Sequence, residues 1–279
     1  MTFKHIPVLL EECINGLNIK PDGTYVDGTL GGAGHSEKII EHLSSNGLLI
    51  GIDRDEEALE FAKEKLKKFK NVLFVHDNHD NIKEILHEKE ITEVDGILLD
   101  LGVSSYQLDE GKRGFSYMQD SPLDMRMNKS QELTAKDVVN TYKEEELARI
   151  LKEYGEEKFA KKIAKKIVEQ RKNSQIETTG ELVKIIESVI PYKGEGHPAK
   201  RTFQAIRIEV NNEIEPLYNT VINSINCLKH KGRLCIITFQ SLEDRAVKMA
   251  YNDAVRKMYM PKRFTLLCMW CKKIRCNNK

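Results

Sequence analysis

Four aspartates recur at matching places in the first hundred residues: Asp27, Asp53, Asp77 and Asp100. Each stands at or just past the end of a short run rich in β-branched residues or leucine. The first opens the glycine turn Gly28-Thr29-Leu30-Gly31-Gly32-Ala33-Gly34-His35, and Asp53 lies 22 residues past Gly31. In nucleotide-binding α/β domains such glycines let the backbone approach a ligand at the carboxyl ends of strands, and an acid about 20 residues on accepts ribose hydroxyl hydrogens. A glycine turn also serves tight strand-to-helix connections that hold no ligand, so its spacing alone does not decide between the two.

The elements that must position these acids follow from periodicity. Apolar runs at Thr24 to Asp27, Leu48 to Asp53, Val72 to Val75 and Gly96 to Leu101 read as buried strands. Helix patterns at His35 to Leu43, Glu56 to Phe69 and Ile82 to Glu88 lie between them, the rhythm of a doubly wound parallel sheet. It resumes near Thr202, with a helix predicted from Phe203 to Leu228 that feeds a strand at Gly232 to Phe239. The residues between read as helical, with Leu147, Ile150, Leu151 and Tyr154 at helical spacing. The expected architecture is an α/β domain interrupted by an all-helical insert, with boundaries at 1–110, 111–200 and 201–255, and a separate tail at 256–279.

Acids at successive strand ends suit a cationic nucleoside such as S-adenosylmethionine, which carries no phosphate. No Gly-Lys-Ser/Thr occurs anywhere, which argues against a P-loop nucleotide triphosphatase. A nicotinamide dehydrogenase remains the competitor for this half of the chain. Net charge is +1 over 279 residues, so any nucleic-acid surface must be local. No basic-then-apolar leader and no run of the ~20 apolar residues that span a bilayer is present, which points to a cytoplasmic protein. Six cysteines make no disulfide framework, and the late group Cys268, Cys271 and Cys276 is a weak metal pattern, so no metal is expected.

Longer matches name a family. Asp100-Leu-Gly-Val-Ser-Ser-Tyr-Gln-Leu-Asp109, Arg113-Gly-Phe-Ser-Tyr117 and Pro122-Leu-Asp-Met-Arg-Met127 closely resemble the RsmH (MraW) family of 16S ribosomal RNA (cytosine-N4)-methyltransferases. So do His5 to Leu10, Tyr154 to Ala160, Thr202 to Arg207 and Ser241 to Arg245. The resemblance implies a class I, Rossmann-like methyltransferase fold with a helical substrate-recognition insert. It also implies methyl transfer from S-adenosylmethionine to the N4 of a cytidine in the decoding centre, within the small ribosomal subunit. Carried over by position, the cofactor contacts are Ala33, Gly34, His35, Asp53, Asp100 and Gln107, with His79 where relatives have Phe.

An exocyclic amine conjugated with its ring is a feeble nucleophile, so catalysis must rest on in-line positioning and on an acceptor for the amino hydrogens. Asp100, or the backbone adjoining it, is the expected acceptor. A target base must leave its stack to be methylated, and aromatic faces or guanidinium planes receive such bases. Phe115 and Tyr117, flanked by Arg113 and Arg126, are the candidates, with core packing the alternative for Phe115. Ser104 and Ser105 could line the same pocket or cap a helix. From Lys158 to Lys172 there are seven basic residues and one acid. On a helix, Phe159, Ile163 and Ile167 share one face while Lys161, Lys162, Lys165 and Lys166 project from another, which fits phosphate contacts. Lys200 and Arg201 add charge where the insert rejoins the sheet.

Two departures qualify the activity. Gln240 stands where the family has His, so any proton-carrying role there is lost. After Lys248 the resemblance fades, and reading the tail one nucleotide later turns Met258, Met260 and Met269 into Cys and Trp270 into Gly, which restores a family-like cysteine pattern. A frameshift near Arg256 is the expectation, leaving the sheet without its closing C-terminal strands. A catalytically weakened RNA-binding or ribosome-assembly factor is therefore the second reading. The sequence leaves the oligomeric state open, a homodimer included.

Overall fold

The structure is a computed structural model that describes residues 7–104, 107, 113–190, 196–257 and 266–270. Contacts divide the chain into two units, Met1–Ser104 with Ile214–Lys279, and Ser105–Glu213.

The first unit is built on a parallel sheet of order β3-β2-β1-β4-β5-β6. Its strands are β1 (Thr24–Asp27), β2 (Leu48–Asp53), β3 (Val72–His76), β4 (Val94–Asp100), β5 (Leu228–Thr238) and β6 (Leu266–Trp270). Side chains alternate across a strand, and here both faces are covered, which is why the strands read as nearly continuous apolar runs. Tyr25, Leu49, Leu98, Cys235 and Ile237 pack with α1 (Leu10–Leu17), α2 (Gly34–Glu41) and α3 (Glu56–Leu66). Val26, Ile50, Ile97, Leu99, Leu234 and Ile236 face the other way, onto α4 (Ile82–Glu88) and two later helices. Each such buried aliphatic side chain contributes about 1.5–3 kcal/mol. At the amino ends of the strands, Asp95 accepts from Lys20 Nζ at 2.8 Å, Lys229 Nζ at 2.7 Å and the Thr24 amide at 3.0 Å. Burial pushes its carboxyl up, but the two lysines prevail and hold it at about 2.

The second unit is helical: α5 (Ala135–Thr141), α6 (Glu144–Glu153), α7 (Ala160–Arg171), α8 (Thr179–Val189) and α9 (Lys200–Asn211). Capping boxes start α5 at Thr134/Asp137 and α8 at Thr178/Glu181. Leu147, Ile150, Leu151, Ile163, Ile167 and Ile186 are fully buried. No strand occurs among its described residues, only a single antiparallel bridge between Pro122 and Thr178.

The structure differs from the sequence reading in two places. The one helix predicted from Phe203 to Leu228 is two. Asn212 takes a left-handed conformation (φ 47°) that ends α9, and Pro216 precedes α10 (Leu217–Asn226). The break is also the seam between units, since α9 belongs to the second and α10 to the first. The sheet, expected to lack strands beyond β5, gains β6, which pairs in parallel from Leu234↔Leu266 to Thr238↔Trp270. Between them runs α11 (Ser241–Lys257).

Candidate active site at the strand ends

The order β3-β2-β1-β4 sets the acids side by side, because each strand of a parallel sheet ends at the same edge. The chain winds one way from β1 to β3 and then crosses to β4, so the switch point lies between β1 and β4. Open α/β sheets bind ligands at that crevice.

Asp27 is buried, and its carboxylate accepts from the Thr29 amide at 3.2 Å and from Ser36 Oγ at 2.7 Å. Burial pushes its carboxyl up, against the opposing pull of His35 and of these bonds. Asp53 Oδ2 accepts from the Gly31 amide at 2.7 Å and Oδ1 from the Asp55 amide at 2.8 Å. These bonds offset only part of its burial, and the group sits at about 6. The Asp77 amide donates to the Asp53 carbonyl at 3.1 Å, and Asp77 Oδ1 accepts from Asn81 Nδ2 at 2.7 Å.

Asp100 closes β4. Its amide donates to Thr29 Oγ1 at 2.6 Å, which ties the end of β4 to the glycine turn after β1. Oδ2 lies 3.7 Å from His35 Nδ1, while Oδ1 is buried and has no hydrogen-bond partner. Burial, with the charges of Asp27 and Glu243 beside it, pushes Asp100 up to about 7. His35 Nε2 meets the Val8 carbonyl at 3.0 Å, and since a carbonyl only accepts, Nε2 carries the hydrogen.

The two end glycines of the turn, Gly28 and Gly34, leave no room for a side chain. A Cβ on Gly28 would stand 2.5 Å from Leu99 Cδ2 and 3.1 Å from His79 Cβ, and one on Gly34 would stand 2.2 Å from Pro7 Cγ. Ala33 is buried at φ 53° and precedes α2. His79, beside Gly28, is mostly buried, with Nε2 3.7 Å from Asp80 Oδ1. The structure thus brings Ala33, Gly34, His35, Asp53, His79 and Asp100 to the β3-to-β4 stretch of one sheet edge. Gln107 is buried in the second unit, and Ser105 lies outside the described residues. Three carboxyls raised by burial, Asp27, Asp53 and Asp100, with one orphaned oxygen among them, fit a cationic nucleoside in place of an anionic phosphate.

Sequence reasoning missed three residues here. Thr29 holds β4 to the turn. Glu243, 2 % exposed, accepts from the Phe239 amide and from Gln240 Nε2, both at 2.8 Å. An acid at the third position of a helix that follows a strand is a capping signal that could have found it. The third, Phe239, is 48 % exposed beside Gly102.

In the second unit the predicted base wall is mostly occupied. Arg113 is buried and donates to the Arg126 carbonyl at 2.9 Å and the Met127 carbonyl at 3.1 Å. Arg126 donates to both oxygens of Asp124, at 2.9 and 2.8 Å, and to the carbonyls of Lys129 and Gln131. These guanidinium groups hold their own loop. Phe115 is buried, with the Arg113 guanidinium 5.8 Å from its ring. Tyr117 stacks on His197 at 4.6 Å between centroids and meets the edge of Phe203 at 5.8 Å. On α7, Ile163 and Ile167 are buried while Lys161, Lys162, Lys165 and Lys166 are exposed. Glu169 lies 4.0 Å from Lys165 and 3.9 Å from Lys166, leaving the face strongly positive. Lys200 and Arg201 are exposed, and Arg201 donates to the Glu156 carbonyl at 2.8 Å.

The chain matches the MraW methylase family over residues 2–277, past Lys248, where the motif resemblance fades. It is 59% identical over 268 residues to ribosomal RNA small subunit methyltransferase H of Clostridium botulinum (strain Kyoto / Type A2), covering 95% of this chain and 87% of that one. The protein of the same name from Clostridioides difficile (strain 630) is 55% identical over 269 residues, covering 94% and 86%. A SAM-dependent methyltransferase of Aquifex aeolicus resembles 51% of this chain and 77% of its own, at 18% identity and a TM-score of 0.28, and adds nothing to the assignment. The chain belongs to the MraW methylase family and is an S-adenosylmethionine-dependent methyltransferase.

Proposed function

We propose that this chain methylates the exocyclic N4 of a cytidine in the decoding centre of 16S ribosomal RNA, within the small ribosomal subunit. The observation that carries the reading is Asp100, a carboxyl at the switch point whose proton affinity is matched to neutral pH and which has one oxygen without a partner. When bound, S-adenosylmethionine supplies an electrophilic methyl on a cationic sulfur. Asp53 is placed to accept from ribose hydroxyls through its remaining lone pairs, and His79 to line the adenine side. As the new N–C bond forms, the amine must lose a proton. Asp100 is the acceptor, its ionised form favoured by the neighbouring positive charge. A general base works best with a pKa near the working pH.

Lys161, Lys162, Lys165, Lys166 and Lys200 supply phosphate contacts, and the exposed Lys/Arg face explains how a chain of net charge +1 holds a polyanion. Arg113, Arg126 and Phe115 act at one remove, by holding the 113–131 segment that carries Tyr117. The test is methyl transfer from labelled S-adenosylmethionine to small subunits that lack the modification, with the methylated nucleoside identified. N4-methylcytidine is expected. A different methylated nucleoside would overturn the target, and bound cofactor without any product would favour the weakened assembly factor.

A further inference from the structure

Among the described residues, the end of β5 leaves the phenyl ring of Phe239 partly in water. Along β5, Leu234, Cys235, Ile236, Ile237 and Thr238 are fully buried, yet the next residue, Phe239, is 48 % exposed. Among the described residues of this unit Phe61 is the other exposed phenylalanine, on α3. Register fixes where the Phe239 ring lies. Asp100 pairs with Ile237, so two residues further on Gly102 is level with Phe239 on the neighbouring strand end. Accordingly, a Cβ on Gly102 would stand 3.6 Å from Phe239 Cδ2. Gly102 has φ +94°, a conformation side chains disfavour, and its missing side chain leaves that flank of the ring open.

The backbone beneath the ring is pinned. Buried Glu243 accepts from the Phe239 amide and from Gln240 Nε2, both at 2.8 Å, and a Cβ on Gly102 would stand 4.0 Å from its Oε1. With its backbone tied to Glu243 and about half of the residue exposed, Phe239 offers an apolar face at the strand ends. The four described residues that directly follow β4, Leu101, Gly102, Val103 and Ser104, include no aromatic ring, and Phe239 stands level with them on the adjacent strand end.

We propose that Phe239 is the platform on which the extruded target base stacks, one strand away from Asp100. The proposal rests on the base-methylation reading above. A flat face is indifferent to base identity and holds any base out of its helix, while the acceptor beside it is met only by an exocyclic amine on the correct edge. Phe239 thus positions, and Asp100 discriminates.

The test compares Phe239→Ala, Phe239→Tyr and Phe239→Trp, with Phe61→Ala as the exposed-ring control, in single-turnover methylation of unmodified small subunits. S-adenosylmethionine affinity is measured on each by calorimetry. Stacking contributes enough for its loss to lower the rate about 5- to 150-fold. Phe239→Ala is expected to fall in that range with cofactor affinity unchanged, while Phe239→Tyr, Phe239→Trp and Phe61→Ala retain activity. A wild-type rate in Phe239→Ala, or rates in Tyr and Trp variants as low as in Ala, would overturn the platform. So would lost cofactor binding in Phe239→Ala, which would make the ring structural. If the wild-type product is not N4-methylcytidine but the Ala-to-Trp contrast holds, the target atom is wrong and the platform stands.

Discussion

Replacing Asp100 by Asn should make the cofactor-free protein more stable while abolishing methyl transfer, and the gain should depend on pH in a defined way. In the unfolded chain the Asp100 carboxyl ionises at its ordinary 3.8, whereas in the fold burial, Asp27 and Glu243 raise it to about 7. A group whose folded value is raised binds more protons in the native than in the unfolded state between those two values, so native stability falls as pH rises through that window. At about 1.36 kcal/mol per pH unit the full penalty is on the order of 4 kcal/mol. Partial exposure, with 25 % of the side chain accessible, trims this to roughly 2–4 kcal/mol. Asparagine keeps the shape and carries no charge. Urea unfolding of both proteins from pH 4.5 to 8.5 should show the variant's advantage growing with pH and levelling off above about 7. A variant less stable than wild type at pH 8, or an advantage independent of pH, would refute the reasoning. Saturating S-adenosylmethionine should narrow or reverse the difference, since a cation beside the carboxylate removes part of the penalty only in the wild type.

Two further outcomes follow from the second unit. Changing Lys161, Lys162, Lys165 and Lys166 together to Gln should lower affinity for ribosomal RNA and reduce the slope of log affinity against log salt by roughly 3, at about 0.7–0.9 per phosphate contact, with cofactor affinity unchanged. A slope equal to wild type would show that this face does not touch RNA. Arg126→Ala should destabilise the second unit by about 1–3 kcal/mol, because it removes the guanidinium that, against the pull of burial, helps hold the Asp124 carboxyl below the usual range and leaves only the residue-126 amide donating to it. Faster amide exchange confined to 113–213 would report it, and global loss of protection would not fit.

Much of this site is legible in the sequence because a parallel sheet turns order along the chain into order in space. Acids at the ends of successive apolar runs must share an edge, and a side chain at Gly28 or Gly34 would run into Leu99 and His79 or into Pro7. What stayed hidden depends on partners far apart in the chain. Thr29 meets Asp100 across 71 residues, and no local pattern marks a threonine for that bond. Arg113 and Arg126 look like free guanidinium planes in sequence, and only the fold shows carbonyls and Asp124 converging on them. The helix break at Asn212 was readable in part, since Pro216 follows closely, but an apolar periodicity running through it masked the seam.

The pairing of β4 with β5 joins Asp100 to Ile237 across the whole second unit, Ser105–Glu213. During synthesis the four strands at one end of the sheet exist before the insert, while β5, β6 and the Glu243 latch emerge only after it. Long-range strand pairing is slow, whereas the insert is helical and its chain is complete before β5 emerges. Once folded, it replaces a flexible loop of more than a hundred residues by a compact body, and every halving of the effective loop lowers the entropic cost of closure by about 0.6 kcal/mol. The nascent chain therefore completes the glycine turn and Asp100 before the insert, and adds Phe239 and Glu243 only after it.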